Sequence, residues 1–573
     1  MTLEEKVGQM TLVEKNSLMP GAVTGFALGA VLSGGGGYPE GRNRPEGWVD
    51  MVQGFRWEAL DTRLGIPILY GVDAVHGHNN LEGAVIFPHN IGLGATRDPD
   101  LVRRIGRATA EEVAATDIYW NFAPVVAVPQ DIRWGRTYEA YSEDTALVSE
   151  LGRAYLEGLQ GDDLADPATV LATPKHFVGD GGTTWGTSTT QDWIIDQGVT
   201  EVDEATLREI HLPPYEVLVD AGALSIMVSY SSWGGMKMHA QHYLITEVLK
   251  GELGFEGFVV SDWAGIDQIS PNYYEAVVTS VNAGIDMNMV PYDGARFIRT
   301  LLEAVETGDV PEARIDDAVR RILRAKFALG LFDRPRNATS GVAIDVIGSD
   351  EHRALAREAV AKSLVLLKNE DGALPIGEAP VIFVGGEAAD DVGIQSGGWT
   401  IEWQGVLGNI EGGTTILEGI EATAGAESTV HYNRFGKFER FTDEAGDPLI
   451  ADVGIAVVGE RPYAEGEGDA ADLALSEPDL NIIARMRESS ETLIVVLISG
   501  RPMIVTEVLD DVDAFVAAWL PGTEGQGVVD VLFGDAPFTG TLPFTWPRTM
   551  EQVPLGAGEG EPLFPYGYGL TTE

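Results

Sequence analysis

Short apolar runs, each ending at a polar residue, alternate with amphipathic stretches through the first half of the chain. Residues 66–72 end at Asp73, and 118–126 lead into a loop with Arg133-Trp134-Gly135-Arg136. Residues 170–173 lead into Lys175-His176, 225–229 into Tyr230 and 258–260 into Asp262, and 283–289 form a sixth run. Runs that are apolar on both faces predict strands of a parallel sheet covered on both sides. Residues 100–115, 206–221 and 274–282 have helical periodicity. Strand and helix in alternation predict a parallel α/β barrel of the (β/α)8 TIM type. Six of its strands can be placed from the pattern; two cannot. Ahead of them, Thr2-Leu3-Glu4-Glu5 is a capping box opening a helix along Val7, Met10 and Leu12. Residues 33–38, with four consecutive glycines, predict a flexible loop without the Lys-Ser/Thr ending of a phosphate loop.

A helix over 315–329 closes the barrel, and 332–346, with Pro335, Asn337 and Gly341, has linker composition. Beyond it, a helix over 350–363 and apolar strands at 364–367, 381–384, 453–458, 492–498 and 514–518 predict an open doubly wound α/β sandwich. The expected domains are a barrel-like catalytic domain over 1–335, a linker over 336–349 and the sandwich over 350–573. In such a sheet ligand groups lie beyond the strand C-termini, where Glu460 and the loop 461–469 fall. No GxGxxG follows a strand, so no dinucleotide site is expected.

Composition narrows the partners. Hydrophobic residues make up 44% and charged residues 22%, which is globular usage. A formal net charge of −50 argues against nucleic acid and anionic membranes. The chain has no cysteine, which excludes disulfides, thiolate metal sites and a cysteine nucleophile. No apolar stretch reaches membrane-spanning length, and the first residues have the pattern of a helix opening, not of a signal peptide.

The candidate chemistry gathers at strand ends. Asp73, Arg136, Lys175, His176, Tyr230 and Asp262 follow five different strands, and barrel enzymes keep their reactive groups at that end. Taken alone, Asp262 is equally well a helix or turn cap. With Trp263 beside it, it suits a nucleophile in a sugar site. Glycoside cleavage needs a second carboxyl group to protonate the leaving oxygen. Glu465, after Pro462-Tyr463, is the candidate, with Glu460 as the competitor and Glu467 as a solvated loop residue. The pair lies on different predicted domains, so a cleft between domains is the expected site. Trp399 and Trp403 stand in a glycine-flanked loop; Trp399 suits a core position and Trp403 a sugar contact. His76-Gly77-His78 has metal-ligand spacing, but no carboxylate cluster accompanies it, and no metal is expected. A serine hydrolase is not supported, since no GxSxG appears.

The motifs GVDAVHGHNN (71–80), FPHNIGLGATRDP (87–99), RWGRTYEAYSED (133–144), KHFVGDGGT (175–183), SDWAGID (261–267), GGWTIEWQG (397–405), VVGERPYAE (457–465) and AAWLPGTEGQGVVDVLFGD (517–535) together resemble glycoside hydrolase family 3. The likeness is strongest to its two-domain β-D-glucan exohydrolases and covers nearly the whole chain. It implies a retaining, exo-acting β-glucosidase that takes glucose from the non-reducing ends of β-linked glucans or gluco-oligosaccharides without a cofactor. It places the nucleophile on Asp262 and the acid/base on Glu465. Asp73, Arg136, Lys175, His176 and Tyr230 fall on residues holding the terminal glucose, and Trp263 and Trp403 on the aromatic pair around the next sugar. A periplasmic or secreted location follows from the same resemblance. Two departures concern the leaving sugar: Gln268 stands where close relatives have arginine, and residues 184–193 replace an acidic loop in which Gln191 or Asp192 is the available substitute. The Asp-x-His pair of the N-acetylglucosaminidase branch is absent from that loop. The alternatives are a β-xylosidase or other β-glycosidase of the same fold, and a sugar-binding relative without catalysis.

Overall fold

The computed structural model describes residues 1–425 and 428–572, which divide into two compact units. The first comprises Met1–Leu81, Val102–Val128 and Val148–Ile347; the second comprises Glu82–Leu101, Pro129–Leu147 and Gly348–Glu573. Two excursions from the first half of the chain therefore pack with the second.

The first unit is a closed parallel barrel. Its strands are β1 (Thr11–Glu14), β2 (Ala30–Ser33), β3 (Leu69–Val72), β4 (Trp120–Asn121), β5 (Ser225–Met227), β6 (Phe258–Val260) and β7 (Asn288–Met289). β1 through β4 pair in order, and β7 returns to pair with β1. The segment around Leu171 and Lys175 bridges to Trp120 and Val125, and its Phe177 bridges to Val228 beyond β5. β5 pairs with β6, and Val260 bridges to Met287. The ring thus has eight staves, all parallel. Strands this short hold their register because every residue of β1, β2, β3 and β6 is buried.

The two staves missing from the sequence pattern are β1 and β2. The opening helix does form, with the Thr2–Glu5 capping box, but it ends at Gln9. Met10 is its C-cap and Leu12 lies in β1, so the apolar spacing that suggested one helix belongs to a helix and a strand in succession. The glycine loop is ordered by its neighbours: Ser33 Oγ donates to the Gly37 carbonyl at 2.7 Å. A Cβ on Gly34 would lie 3.1 Å from the Trp263 indole, so the loop is bare of side chains where that ring packs. The stretch predicted as one helix over 206–221 is built from a wide π turn at Leu207–His211 and a helix at Pro213–Asp220. Pro213 and Pro214 lack the amide hydrogens that an uninterrupted helix would use there.

The second unit holds a six-stranded sheet: β8 (Val365–Asn369), β9 (Val381–Gly385), β10 (Thr429–Asn433), β11 (Ala451–Gly459), β12 (Ser490–Ile498) and β13 (Ala514–Trp519). The spatial order is β8-β13-β12-β11-β9-β10, parallel except for the β8–β13 edge pair. Helices Asp350–Ser363, Glu477–Glu488 and Gln526–Phe533 alternate with the strands, as in an open doubly wound sandwich. β10 is absent from the apolar pattern because it is an edge strand with no fully buried residue. Chain order reverses between β9 and β11, whose C-terminal ends carry the polar loops of this unit.

Candidate active site

In the barrel, the strand ends bring most of the predicted residues together. Asp73 follows β3, and its Oδ1 accepts a hydrogen bond from Lys175 Nζ at 2.8 Å. The Lys175 side chain is 2% exposed, so its ammonium is held by this partner and not by bulk water. His176 Nδ1 donates to Asp180 Oδ2 at 2.8 Å, because a carboxylate can only accept. The other ring nitrogen, Nε2, stands 3.7 Å from Asp262 Oδ2.

Asp262 lies two residues beyond β6, in a segment fixed by the ladder and by short turns. Ser261 N–H donates to the Met287 carbonyl at 3.0 Å, and Met289 N–H to Ser261 Oγ at 2.7 Å. Gly265 N–H donates to the Asp262 carbonyl at 3.0 Å. The Asp262 side chain accepts from the Trp263 amide through Oδ1 at 2.6 Å, which aims the carboxylate along the loop. The Asp262 amide donates to His239 Nε2 at 3.0 Å. Tyr230 hydroxyl donates to the Trp263 carbonyl. The Trp263 indole N–H donates to Tyr292 hydroxyl at 2.9 Å, with the rings at 82° and 5.6 Å apart.

Gln268 donates from Nε2 to Gln197 Oε1 at 2.9 Å, and that oxygen also accepts from Thr190 Oγ1 at 2.8 Å. Its tie to the 184–197 loop is therefore Gln197, while Gln191 and Asp192 are exposed. His78 Nε2 pairs with Thr116 Oγ1 at 3.0 Å, and burial pushes its imidazole down to about 3. Among the described residues no group of three His, Asp or Glu side chains is gathered for a metal ion.

The second unit builds a separate carboxylate arrangement around Glu465. Its loop follows β11 and turns at Glu465–Gly468, with Glu465 in the left-handed region at φ 55°. Glu460, at the start of the loop, has both oxygens occupied. Oε1 accepts from Arg501 Nε and Nη2 at 3.0 and 2.8 Å, and Oε2 accepts from Tyr463 hydroxyl and Gly500 N–H at 2.9 and 3.0 Å. Arg501 also donates to the carbonyls of Gly468 and Arg133, so one buried guanidinium clamps both ends of the loop. Burial works against its charge, but Glu460 and Tyr463 outweigh it and hold its pKa above the ordinary value. Burial pushes the phenols of Tyr138 and Tyr463 far above theirs. Tyr138 hydroxyl donates to the Tyr463 carbonyl at 2.7 Å.

Gln404 grips Ala464 from both sides, accepting from its amide at 2.8 Å and donating to its carbonyl at 3.2 Å. A Cβ on Gly135 would lie 2.0 Å from the Glu465 carbonyl oxygen, and one on Gly398 2.0 Å from that of Tyr463. Glycine in the RWGR and GGW motifs is thus required by the backbone of the Glu465 loop.

Arg136 belongs to this unit. It forms a bidentate pair with Glu139, Nε to Oε1 at 2.9 Å and Nη2 to Oε2 at 3.0 Å, and donates from Nη1 to Glu465 Oε1 at 3.2 Å. Trp399 is a core residue whose indole N–H donates to Glu139 Oε1 at 3.1 Å, while Trp403 is 37% exposed. Glu467 is exposed, and Asp469 accepts from Gly135 N–H at 3.0 Å.

Sequence reasoning passed over Asp180, His239, Tyr292, Gln404 and Arg501. Asp180 and Gln404 lie inside the quoted motifs KHFVGDGGT and GGWTIEWQG, which is the only signal they carry. His239 and Tyr292 lie in none, and nothing local marks them.

Comparison with known proteins adds a family. Residues 2–325 match the Glycosyl hydrolase family 3 N terminal domain, and residues 364–572 its C-terminal domain. The solved exo-1,3/1,4-beta-glucanase of a Pseudoalteromonas species superposes with a TM-score of 0.92 at 41% identity, over 100% of this chain and 73% of that one. A lysosomal beta glucosidase of Dictyostelium discoideum is 32% identical over 100% of this chain and 74% of its own length. A beta-xylosidase of Formosa agariphila is 31% identical over 89% of this chain and 75% of its own length.

Proposed function

The chain belongs to glycosyl hydrolase family 3, and from that premise we propose that it is a retaining, exo-acting β-glucosidase of the β-glucan exohydrolase type, releasing glucose from the non-reducing ends of β-linked gluco-oligosaccharides. The observation that carries the mechanism is Asp262. It is a mostly covered carboxylate past the end of a barrel strand, aimed by the Trp263 amide and approached by His176 Nε2.

Asp262 is the nucleophile in this reading. Its Oδ2 attacks the anomeric carbon, the glycosidic C–O bond breaks, and a glucosyl ester forms on the enzyme. Glu465 gives its proton to the departing oxygen, then takes one from the water that opens the ester and restores both carboxyl groups. The Asp73–Lys175 pair and His176 supply donors and acceptors for sugar hydroxyls, and Tyr230 and Trp263 shape the same strand end. Arg136 serves Glu465 in this scheme, since its third contact goes to that carboxylate. Glu460 is unsuited to acid/base work because four donors already hold it. Trp403, partly exposed, is assigned to the next sugar.

The discriminating experiment is a panel of nitrophenyl glycosides followed by laminari- and cello-oligosaccharides, with the anomer of the first product read by NMR. β-Glucose from the chain end supports the reading; α-glucose or internal cleavage overturns it. The Formosa β-xylosidase relative favours one second reading, a β-xylosidase, which a higher kcat/KM on nitrophenyl β-xyloside would establish. No helix among the described residues is long and apolar enough to cross a membrane. A periplasmic or secreted location belongs to the same proposal, and cell fractionation tests it.

A further inference from the structure

We infer that His239 is a positioning residue for Asp262: its unprotonated Nε2 takes the Asp262 amide hydrogen and fixes the main chain from which the carboxylate projects. This rests on the reading of Asp262 as nucleophile.

The barrel ladder runs out at this point. Ser261 N–H still finds a stave carbonyl, that of Met287, but the next amide does not. A buried backbone N–H needs an acceptor, and the usual one is a carbonyl. Here it is an imidazole nitrogen at 3.0 Å. The ring comes from the turn Met238–Ala240, which is itself held: Met238 N–H donates to the Ser231 carbonyl and Gln241 N–H to that of Met238. The Tyr230 ring lies 6.0 Å from the imidazole centre. Gly265 closes the other side, where a Cβ would stand 2.4 Å from Nε2.

The ring's hydrogen bonding shows that packing alone does not account for it. His239 is fully buried, and burial followed by the nearby Lys237 charge pushes its pKa down to about 3, so the ring is neutral. With Nε2 accepting, its single N–H must be on Nδ1. Nδ1 is buried and has no hydrogen-bond partner among the described residues. An apolar side chain would fill the space without leaving a donor unsatisfied. What histidine adds is an acceptor at the depth of the Asp262 amide. It grips the amide and not the carboxylate, so it orders the nucleophile without giving it a competing donor.

The test compares three variants of the full chain on 2,4-dinitrophenyl β-glucoside, whose leaving group departs without protonation, so that acid catalysis drops out. His239→Leu removes the acceptor, His239→Gln places an amide oxygen near the Nε2 position, and Gly265→Ala crowds the ring. His239→Leu and Gly265→Ala are expected to lower the pre-steady-state rate of dinitrophenolate release about 100-fold, the scale of a small misplacement of a reacting group. Glucose affinity by titration calorimetry should stay within about threefold, and His239→Gln should recover to within about tenfold of the parent rate. A parent-like rate in His239→Leu, or a parallel loss of rate and glucose affinity that His239→Gln does not relieve, would overturn the inference. Asp262→Gly with azide separates the two layers. An inactive variant rescued to α-glucosyl azide, beside a fully active His239→Leu, sinks the inference alone. Parent-like activity in Asp262→Gly removes the nucleophile reading and the inference with it.

Discussion

Asp262 and Glu465 carry the same functional group and are placed by opposite means. Asp262 stands two residues past a strand whose every residue is buried, and its carboxylate bonds to the very next amide. Its position follows from the ladder that ends at Ser261, from His239 on its own amide and from Tyr230 on the Trp263 carbonyl. Glu465 stands in a turn, at a left-handed φ that costs a non-glycine residue roughly 1–2 kcal/mol. It is held by Arg501 and Glu460 at the loop's start, Gln404 across Ala464, Arg136 on the carboxylate, and two glycines under its backbone. A strand-end carboxylate is as rigid as its sheet and the groups that hold its main chain. A loop-borne carboxylate is as rigid as the network around it, and that network includes a buried charge.

The comparison breaks most sharply at Asp262 itself. Asp262→Asn is expected to lower kcat on aryl β-glucosides by on the order of 10⁴-fold or more with an unchanged melting temperature, because in the proposed mechanism the group lost is the nucleophile and not a structural support. Substantial turnover in a well-folded Asp262→Asn would end the assignment. Glu465→Ala should lose about 10²–10⁴-fold on substrates with poor leaving groups and far less on dinitrophenyl glucoside. Azide should then yield β-glucosyl azide; the same product from Glu460→Ala would move the acid/base to that residue.

Arg501→Met probes the network. It leaves Glu460 as an uncompensated charge in a mostly buried setting, a class of change that costs about 3–5 kcal/mol. The melting temperature should fall, and Arg501→Met with Glu460→Gln together should cost less than Arg501→Met alone. Simple additivity in that double-mutant cycle would mean that the clamp does not act as a unit. Gly398→Ala should cost about 1–3 kcal/mol by overpacking against the Tyr463 carbonyl, with a loss of kcat that follows displacement of the Glu465 loop. Tyr292→Phe should be the mildest. It removes the acceptor of the Trp263 indole at a largely exposed ring, and about a threefold rise in KM for a disaccharide is expected, with aryl glucosides unaffected.

The same contrast governs what could be read without coordinates. The barrel class, the sandwich and Asp262 were visible because buried strands leave apolar runs with polar ends, a local signal. The strands β1, β2 and β10 were not. β1 is four residues beside a true helix whose spacing masks it, β2 is a run of only four residues, and β10 is a half-covered edge. Arg136 was visible as a strand-end cation, but its partners Glu139 and Glu465 were not, because its segment packs with the second unit. Gln268 was visible as a departure, whereas its contact with Gln197 needed the fold.

By itself the sequence determined the two α/β architectures, the absence of cysteine chemistry, the large negative net charge and the two carboxylates on which a glycosidase reading rests. These are set by periodicity and by residue type, which are properties of short windows. Only the tertiary structure decided that Glu460 is a clamp and that Arg136 serves the second unit. It also placed a neutral, buried histidine behind Asp262. Each of these depends on a hydrogen bond or ion pair between residues far apart in the chain, and such bonds leave no periodic trace in either segment.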